Sequence, residues 1–214
     1  MFRLVVLMTS IHSPFFFLSN ILTGFALPHA TNRMELAGND LTTMIRARLA
    51  ERGVSFSRSE AHATIVRNIK ETLCHVAVND EQDSGDPAAE SQQYELPDGQ
   101  VITVDPETRY GIAEALFTPV QNYPNAKANN TIVKGGIVSL LLDSISKCDG
   151  DLQPDLFGNI VLSGGTSMFP GLRARLLSEI HSRIDSDDVV VNVVTDSQRK
   201  YAAWIGKCLV EVSC

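Results

Sequence analysis

The sequence lacks the clustered basic residues that nucleic-acid-binding proteins need. Its 18 Lys and Arg are outnumbered by 25 Asp and Glu, which gives a formal net charge of −7 and a pI near 5.2. Binding to a phosphate backbone depends on closely spaced cations. The composition therefore excludes a nucleic-acid partner, whereas 44% hydrophobic and 20% charged residues are ordinary for a globular protein.

Cysteine and histidine are also too few and too widely spaced in the sequence for a set of disulfides or a zinc site. Cys74, Cys148, Cys208 and Cys214 form no Cys-x-x-Cys pair, and no His stands at metal-ligand spacing from them. We expect free thiols in a reducing compartment rather than disulfides or a zinc site.

The first 26 residues are strongly apolar, and Arg3 is their only formal charge. Such a stretch resembles a signal peptide or a weak membrane anchor. A polar interruption at residues 9–14 argues against a membrane span, and the missing disulfide pattern argues against secretion. Two alternatives stay open: the stretch forms core strands, or it is a foreign leader.

From residue 27 to residue 110 the hydrophobic spacing predicts alternating strands, helices and loops. A strand is expected at 33–36, followed by a helix that Asn39 or Asp40 caps and Gly53 ends. A second helix opens at Ser57 or Ser59. Residues 79–93 are polar and predict a solvated loop, and Asp98-Gly99 within residues 94–104 predicts a hairpin.

The rest of the chain predicts strand–turn–helix units. Helices are expected at 111–117 and 138–146, a flexible polar insertion at 120–136, and a buried strand at 159–162. A helix should follow Pro170, a strand covered on both faces should span 189–194, and a last helix should span 201–212. Strand, glycine turn, helix and strand together predict an α/β fold.

The run Ser163-Gly164-Gly165-Thr166 is the strongest candidate for a ligand site. It lies between the carboxyl end of a strand and a helix start, where open α/β sheets bind ligands. Adjacent glycines let a flat base or a sugar approach the backbone closely. A purely structural tight turn is the alternative, and the Gly-x-x-x-x-Gly-Lys-Ser/Thr phosphate loop is missing. Lys70-Glu71 and Lys200 are equally open to interpretation as solvated surface charges.

Several ordered blocks of this sequence resemble the actin family. The run Gly24-Phe25-Ala26-Leu27-Pro28-His29-Ala30 is similar to that family's Gly-Tyr-Ala-Leu-Pro-His-Ala, with Phe25 in place of Tyr. Further similar blocks are residues 36–41, 50–53, 65–71, 94–103, 162–171 and 199–206.

The resemblance implies a fold and a division of the chain. The fold is α/β, an actin-like (ribonuclease H-like) nucleotide-binding lobe with an inserted smaller α+β subdomain, and the N- and C-terminal parts of the full fold are expected to be missing. Residues 24–37 and 126–200 would form the inner subdomain, and 38–125 the inserted outer one. Residues 1–23 are then an apolar extension of uncertain status, and 201–214 begin the return to the smaller lobe.

The resemblance also implies a site for the adenine and ribose of ATP or ADP, which the family binds with Mg²⁺. The residues carried over are Gly38, Arg67, Lys70, Glu71, Gly164, Gly165, Thr166, Phe169 and Lys200. Phe169 stands where actins usually have Tyr, which keeps an aromatic wall and loses a hydroxyl.

The departures from the family concern its phosphate side. The second phosphate hairpin should lie just before Gly24, where residues 15–23 contain no Asp-Gly turn. Phosphoryl transfer depends on positioning and charge stabilisation. We therefore expect no ATP hydrolysis, no catalytic residues and no metal ligands in this chain, and weak or absent nucleotide binding.

The expected partners are other actin-like subunits or actin-binding proteins in the cytoplasm and cytoskeleton, with no membrane unless the first residues are a targeting segment. The polar insertion makes filament formation doubtful. Alternatives are a non-polymerising actin-related scaffold subunit, a truncated product without function, and a sugar kinase or heat-shock chaperone ATPase. The last class lacks the Leu-Pro-His-Ala and Pro-Asp-Gly-Gln blocks.

Overall fold

A computed structural model describes the backbone of residues 2–8 and all of residues 16–77, 91–119, 135–184, 189–202 and 204–205. Within these residues the main element is a mixed six-stranded sheet with the order β3-β2-β1-β7-β8, and β4 pairs with β2 beside this path. Its strands are β1 Phe2–Met8, β2 Phe16–Leu22, β3 Phe25–Ala26, β4 Asn32–Met34, β7 Ile160–Ser163 and β8 Val193–Val194. A separate hairpin consists of β5 Gln92–Glu95 and β6 Val101–Val104.

The apolar extension of uncertain status contains two strands of this sheet. β1 pairs antiparallel with β2, from Phe2 beside Leu22 to Met8 beside Phe16. β1 also pairs in parallel with β7, where Leu7 lies beside Ser163. Of the interpretations left open for these residues, strands of the sheet is the one that the structure has, and Phe16 and Leu18 of β2 are buried in the core. No helix among the described residues is long and apolar enough to cross a membrane.

Three helices follow β4: α1 Gly38–Glu51, α2 Glu60–Leu73 and α3 Pro106–Glu114. The predicted start of α1 was wrong, because the helix begins at Gly38 and the Asp40 carboxylate accepts a hydrogen bond from the Ala37 N–H at 2.9 Å. The prediction for α2 is confirmed, since Ser59 caps it by accepting from the His62 N–H.

The hairpin at Asp98-Gly99 is confirmed, with Gly99 at φ +83°. The helix predicted at 111–117 was placed too late. α3 begins at Pro106, and the Asp105 carboxylate caps it by accepting from the Thr108 N–H at 2.9 Å. Asp followed by Pro is a helix-start signal that the hydrophobic spacing alone did not show.

Three more helices cover the main sheet: α4 Gly136–Ser146, α5 Gln153–Phe157 and α6 Leu172–Arg183. α4 packs on β2 and β4, α5 packs on β1, and α6 lies against α4. The helices predicted at 138–146 and after Pro170 are confirmed. Their buried residues join one hydrophobic core with those of β2 and β7.

The strand predicted over 189–194 was wrong in length and in burial. Only Val193–Val194 forms a strand, and Val190 is 76% exposed while Val193 is 1% exposed. One face of this segment therefore packs on the core and the other faces solvent. The predicted loop at 79–93, the insertion at 120–136 and the helix at 201–212 lie largely outside the described residues.

Candidate functional site

The glycine turn leaves β7 at the carboxyl end of the parallel strands. Gly164 has φ +93°, a conformation that favours glycine. Its N–H donates to the Arg199 carbonyl at 2.8 Å, and its own carbonyl accepts from the Ser167 N–H at 3.2 Å. A short 3-10 segment, Gly165–Met168, follows. The turn is therefore fixed to the segment Arg199–Tyr201, the second short 3-10 turn.

The N-terminus of α1 approaches this turn at Gly38. A Cβ atom at Gly38 would lie 2.8 Å from Thr166 Oγ1 and 3.4 Å from Lys70 Nζ. The first distance is shorter than real Cβ contacts, so the absence of a side chain is what allows the approach. This explains why a glycine begins α1 although glycine disfavours helices.

Lys70 connects α2 to the start of α1. Its ammonium donates to the Gly38 carbonyl at 2.6 Å and to Thr42 Oγ1 at 2.9 Å. The residue is only 8% exposed, so it is not a solvated surface lysine. Burial lowers the pKa of Lys70 from 10.5 to about 8, and the neighbouring Glu71 carboxylate opposes that shift. An ammonium has three donors, so one is left for a ligand.

Glu71 and Lys200 form an ion pair at the edge of the same site. Lys200 Nζ lies 2.9 Å from Glu71 Oε2, and the two side chains are 30% and 37% exposed respectively. The pair joins α2 to the 3-10 turn Arg199–Tyr201. At this exposure the ion pair contributes little stability, so its main effect is to place both charges at the rim.

Together these elements enclose a cavity of about 230 Å³. Eight of the nine predicted site residues line it, and the ninth, Gly164, supports its wall through the turn. The buried ring of Phe169 is 7% exposed. The lining residues are Gly38, Asn39, Thr42, Arg67, Lys70, Glu71, Gly165, Thr166, Met168, Phe169, Pro170 and Lys200.

Four of these lining residues were not predicted: Asn39, Thr42, Met168 and Pro170. Thr42 could have been found from the sequence, because it stands four residues after Gly38 and hence on the same helix face. Met168 and Pro170 flank Phe169 in the chain, but no feature of the sequence marked either of them as a site residue.

Cys74 lies behind Lys70 at the end of α2 and is 2% exposed. Burial raises the pKa of the Cys74 thiol to about 12, although the positive charge of Lys70 opposes this shift. The thiol is free and acts as a small apolar side chain. Among the described residues, no three His, Cys, Asp or Glu side chains come together as a possible metal site.

A second, shallower cavity of about 640 Å³ adjoins the first and shares Met168 and Lys200 with it. Its walls include Tyr201 and Trp204, which are 60% and 68% exposed. The two cavities place a polar site next to an apolar surface.

A mixed α/β sheet with a glycine-walled cavity at the carboxyl end of its parallel strands β1, β7 and β8 is the arrangement in which open α/β sheets bind small-molecule ligands. The family model described as Actin matches residues 16–210. Because this match covers most of the chain, the chain belongs to the actin family. The family generally binds ATP or ADP with Mg²⁺, is typically cytoplasmic, and has actin-like and actin-binding partners.

Proposed function

We propose that this chain is an actin-like cytoskeletal protein whose cavity holds the adenosine part of ATP or ADP, and that it does not hydrolyse ATP. The observation that carries the proposal is the convergence of Gly38, Lys70 and Glu71 with the Gly165–Met168 turn in one cavity. These elements lie far apart in sequence, and a tight structural turn alone would not require their meeting.

The residues present fit such a ligand. Gly38 and Gly165 leave backbone close to the cavity, and Phe169 offers an aromatic face on which a base can stack. Lys70 and Arg67 supply donors, and the Glu71 carboxylate can accept from a hydroxyl. A volume of about 230 Å³ is below the roughly 300–1,000 Å³ of sites that enclose a drug-sized ligand. It suits a nucleoside better than a whole triphosphate.

The sequence of the connection between β1 and β2, on the side of the site where phosphates would lie, supports the absence of hydrolysis. β1 and β7 run in parallel and Leu7 lies beside Ser163, so the connection from β1 to β2 leaves the sheet at the same edge as the glycine turn. Its residues, 9–15, lie outside the described part of the chain, and their sequence contains neither glycine nor an acidic residue. Phosphate loops rely on glycine backbone and magnesium sites on carboxylates.

Equilibrium binding of adenosine, ADP, ATP and GTP to the full chain, measured by calorimetry, tests the binding proposal. We expect adenosine, ADP and ATP to bind with similar, weak affinities, and Lys70→Met to weaken all three. Lys147→Met, which removes an exposed lysine, is the matched control and should leave binding unchanged. No adenosine binding, or a preference for GTP, would refute the proposal.

Hydrolysis is tested separately by phosphate release with Mg²⁺. We expect the rate to equal that of buffer and of a Lys70→Ala variant. A magnesium-dependent rate above both would show that the phosphate side is functional, even if adenosine binding is as proposed.

A second candidate is a non-polymerising scaffold subunit of a larger complex, favoured by the exposed Tyr201 and Trp204 beside the cavity. Apolar surface of this kind marks interaction sites. Sedimentation distinguishes the candidates: a filament-forming actin-like protein pellets when salt is added, whereas a scaffold subunit stays in the supernatant and co-purifies with a partner.

A further inference from the structure

The Lys70 ammonium is buried without a carboxylate partner. The residue is 8% exposed, and both acceptors of its hydrogen bonds, the Gly38 carbonyl and Thr42 Oγ1, are neutral. The Glu71 carboxylate, next in the chain, lies 2.9 Å from Lys200 Nζ instead. No ion pair among the described residues includes Lys70. A buried cation that no anion compensates is unfavourable, and such a group responds by releasing its proton more easily.

The titratable groups that face Lys70 come from two elements. On α2 they are Arg67, Glu71 and Cys74, and on the second 3-10 turn it is Lys200. Burial is the main reason that the pKa of Lys70 falls to about 8; Glu71 opposes this shift, and Arg67 and Lys200 add to it. At pH 7 about one in ten Lys70 side chains is then a neutral amine, against roughly one in three thousand for an ordinary lysine.

The hydrogen bonds of Lys70 also orient its nitrogen. Besides its bond to Cε, a tetrahedral nitrogen has three positions, and two of them hold the protons donated to the Gly38 carbonyl and to Thr42 Oγ1. Both acceptors lie at the start of α1, so the remaining position points away from that helix, and Lys70 lines the cavity. This position holds the third proton of the ammonium or the lone pair of the neutral amine. The same group is therefore a hydrogen-bond donor in one protonation state and a nucleophile in the other.

We propose that Lys70 is a covalent modification site, at which its amine condenses with an aromatic aldehyde held in the cavity. Removing a lysine from solvent in a pocket is a common way to activate its amine toward carbonyl groups. An aromatic aldehyde fits the walls, because Phe169 offers a ring face and Gly38 and Gly165 leave room for a flat molecule. The cavity of about 230 Å³ accommodates one ring with its aldehyde group.

The reaction is a condensation without oxidation or reduction. The lone pair of Lys70 Nζ attacks the aldehyde carbon, and the carbonyl oxygen becomes a hydroxyl as one proton passes from nitrogen to oxygen through solvent. A proton from solvent then converts the hydroxyl into water, the C–O bond breaks and the C=N bond forms. The nitrogen finally returns its last proton to solvent, so no co-reactant is needed. That the modification blocks adenosine rests on the proposed function, whereas the nucleophile itself does not.

Reductive trapping on the full chain tests the proposal. The chain is incubated at pH 7 with benzaldehyde and cyanoborohydride, and the benzyl adduct at each of the six lysines is followed by peptide mass spectrometry. We expect Lys70 to be modified at least about tenfold faster than the exposed Lys147, because more of Lys70 is neutral than of an ordinary lysine. In guanidinium chloride, which unfolds the chain, this preference should disappear. Equal rates in the native chain, or a preference that persists after unfolding, would overturn the proposal.

Two variants and a second aldehyde sharpen this test. Lys70→Arg keeps a cation at the same place but carries no amine, so the fast phase of labelling should be lost. Lys147→Met, at an exposed ion pair, should leave the labelling of Lys70 unchanged. Relative to N-acetyl-lysine in solution, benzaldehyde should favour Lys70 more than propanal does. A fast phase that survives Lys70→Arg, or equal ratios for the two aldehydes, would contradict the proposal.

Competition with adenosine distinguishes this inference from the proposed function. Adenosine at about ten times its Kd should slow the modification of Lys70 about tenfold, because the free site falls to about a tenth. Fast modification that adenosine does not slow would refute the assignment of the cavity to adenosine and leave the nucleophile standing. Adenosine binding by calorimetry to a chain whose Lys70 is not preferentially modified would refute the nucleophile alone.

Discussion

The burial of Lys70 makes the stability of this protein depend on pH in the alkaline range. In the native state the pKa of Lys70 is about 8, against 10.5 for an ordinary lysine, because burial disfavours the charged ammonium. Between these two values the unfolded chain holds a proton that the native chain has released. The free energy of unfolding therefore rises with pH across that interval.

The size of the effect follows from the shift. Each pKa unit corresponds to about 1.4 kcal/mol, so the full interval is worth about 3 kcal/mol, and the step from pH 8 to pH 9 about 1 kcal/mol. The neutral amine keeps two N–H donors, enough for the Gly38 carbonyl and Thr42 Oγ1. Deprotonation therefore removes the cost of a buried charge without breaking these hydrogen bonds.

Cys74 sets the upper end of the window. Its folded pKa is raised from 9.0 to about 12, so stability falls as pH rises above 9, where the unfolded thiol loses its proton and the native thiol does not. The gain from Lys70 and the loss from Cys74 have opposite signs. We expect the free energy of unfolding to rise from pH 8 to 9, to level off up to about 10.5, and to fall beyond it.

Urea unfolding followed by far-UV circular dichroism at several pH values measures this curve. Lys70→Met should remove the rise, and Cys74→Ala should extend it to about pH 10.5. Lys147→Met, at an exposed ion pair, should keep the wild-type shape. A wild-type curve that is flat or falling from pH 8 to 9, and parallel to that of Lys70→Met, would refute the argument.

Two further predictions compare matched positions by urea unfolding. A Cβ at Gly171, where φ is +81°, would lie 2.3 Å from the Val76 carbonyl oxygen, whereas at Gly53 (φ +86°) it would meet no atom within 4 Å. Gly53→Ala should lower the free energy of unfolding by about 1 kcal/mol, and Gly171→Ala should lower it by clearly more. Equal losses at the two positions would show that the chain relieves the clash with the Val76 carbonyl. Arg175, 11% exposed, pairs with Glu114 and Glu179, whereas Arg183, 36% exposed, pairs only with Glu179 among the described residues. Arg175→Met should lower the free energy of unfolding by about 3 kcal/mol, and Arg183→Met by less than about 1 kcal/mol. The reverse order would contradict the argument that burial decides how much an ion pair contributes to stability.

Much of the fold was predictable because local signals and hydrophobic spacing agreed. Ser59 before a helix and Asp98-Gly99 between alternating residues specify structure within a few residues. The errors arose where tertiary contacts, rather than local sequence, determine the length and burial of an element. Residues 189–194 are uniformly apolar, and only the absence of a strand or helix beyond β8 shows, for the described residues, that Val190 faces solvent.

The candidate site illustrates the same division. Hydrophobic spacing could not reveal that Lys70 is buried, since a lysine beside a glutamate on a helix looks like solvated surface. The family resemblance selected it, and the structure shows the reason for its burial: the Gly38 carbonyl and Thr42 Oγ1 accept from its ammonium. Thr42 was missed although its spacing of four residues from Gly38 places it on the same face of α1.

The energetics of Lys70 also bear on the proposed function. A methionine could fill the same space without the cost of a buried charge, which the lowered pKa of Lys70 shows to be substantial. A buried cation seldom contributes net stability to a fold. Titratable groups with strongly shifted pKa values in clefts are candidates for function. Lys70 lies in such a cleft, with Phe169 and the glycine turn also lining it. The charge of Lys70 is thus retained at a cost to the stability of the fold, in a place where the third N–H donor of the ammonium can bind a ligand acceptor. This supports the assignment of the cavity to adenosine.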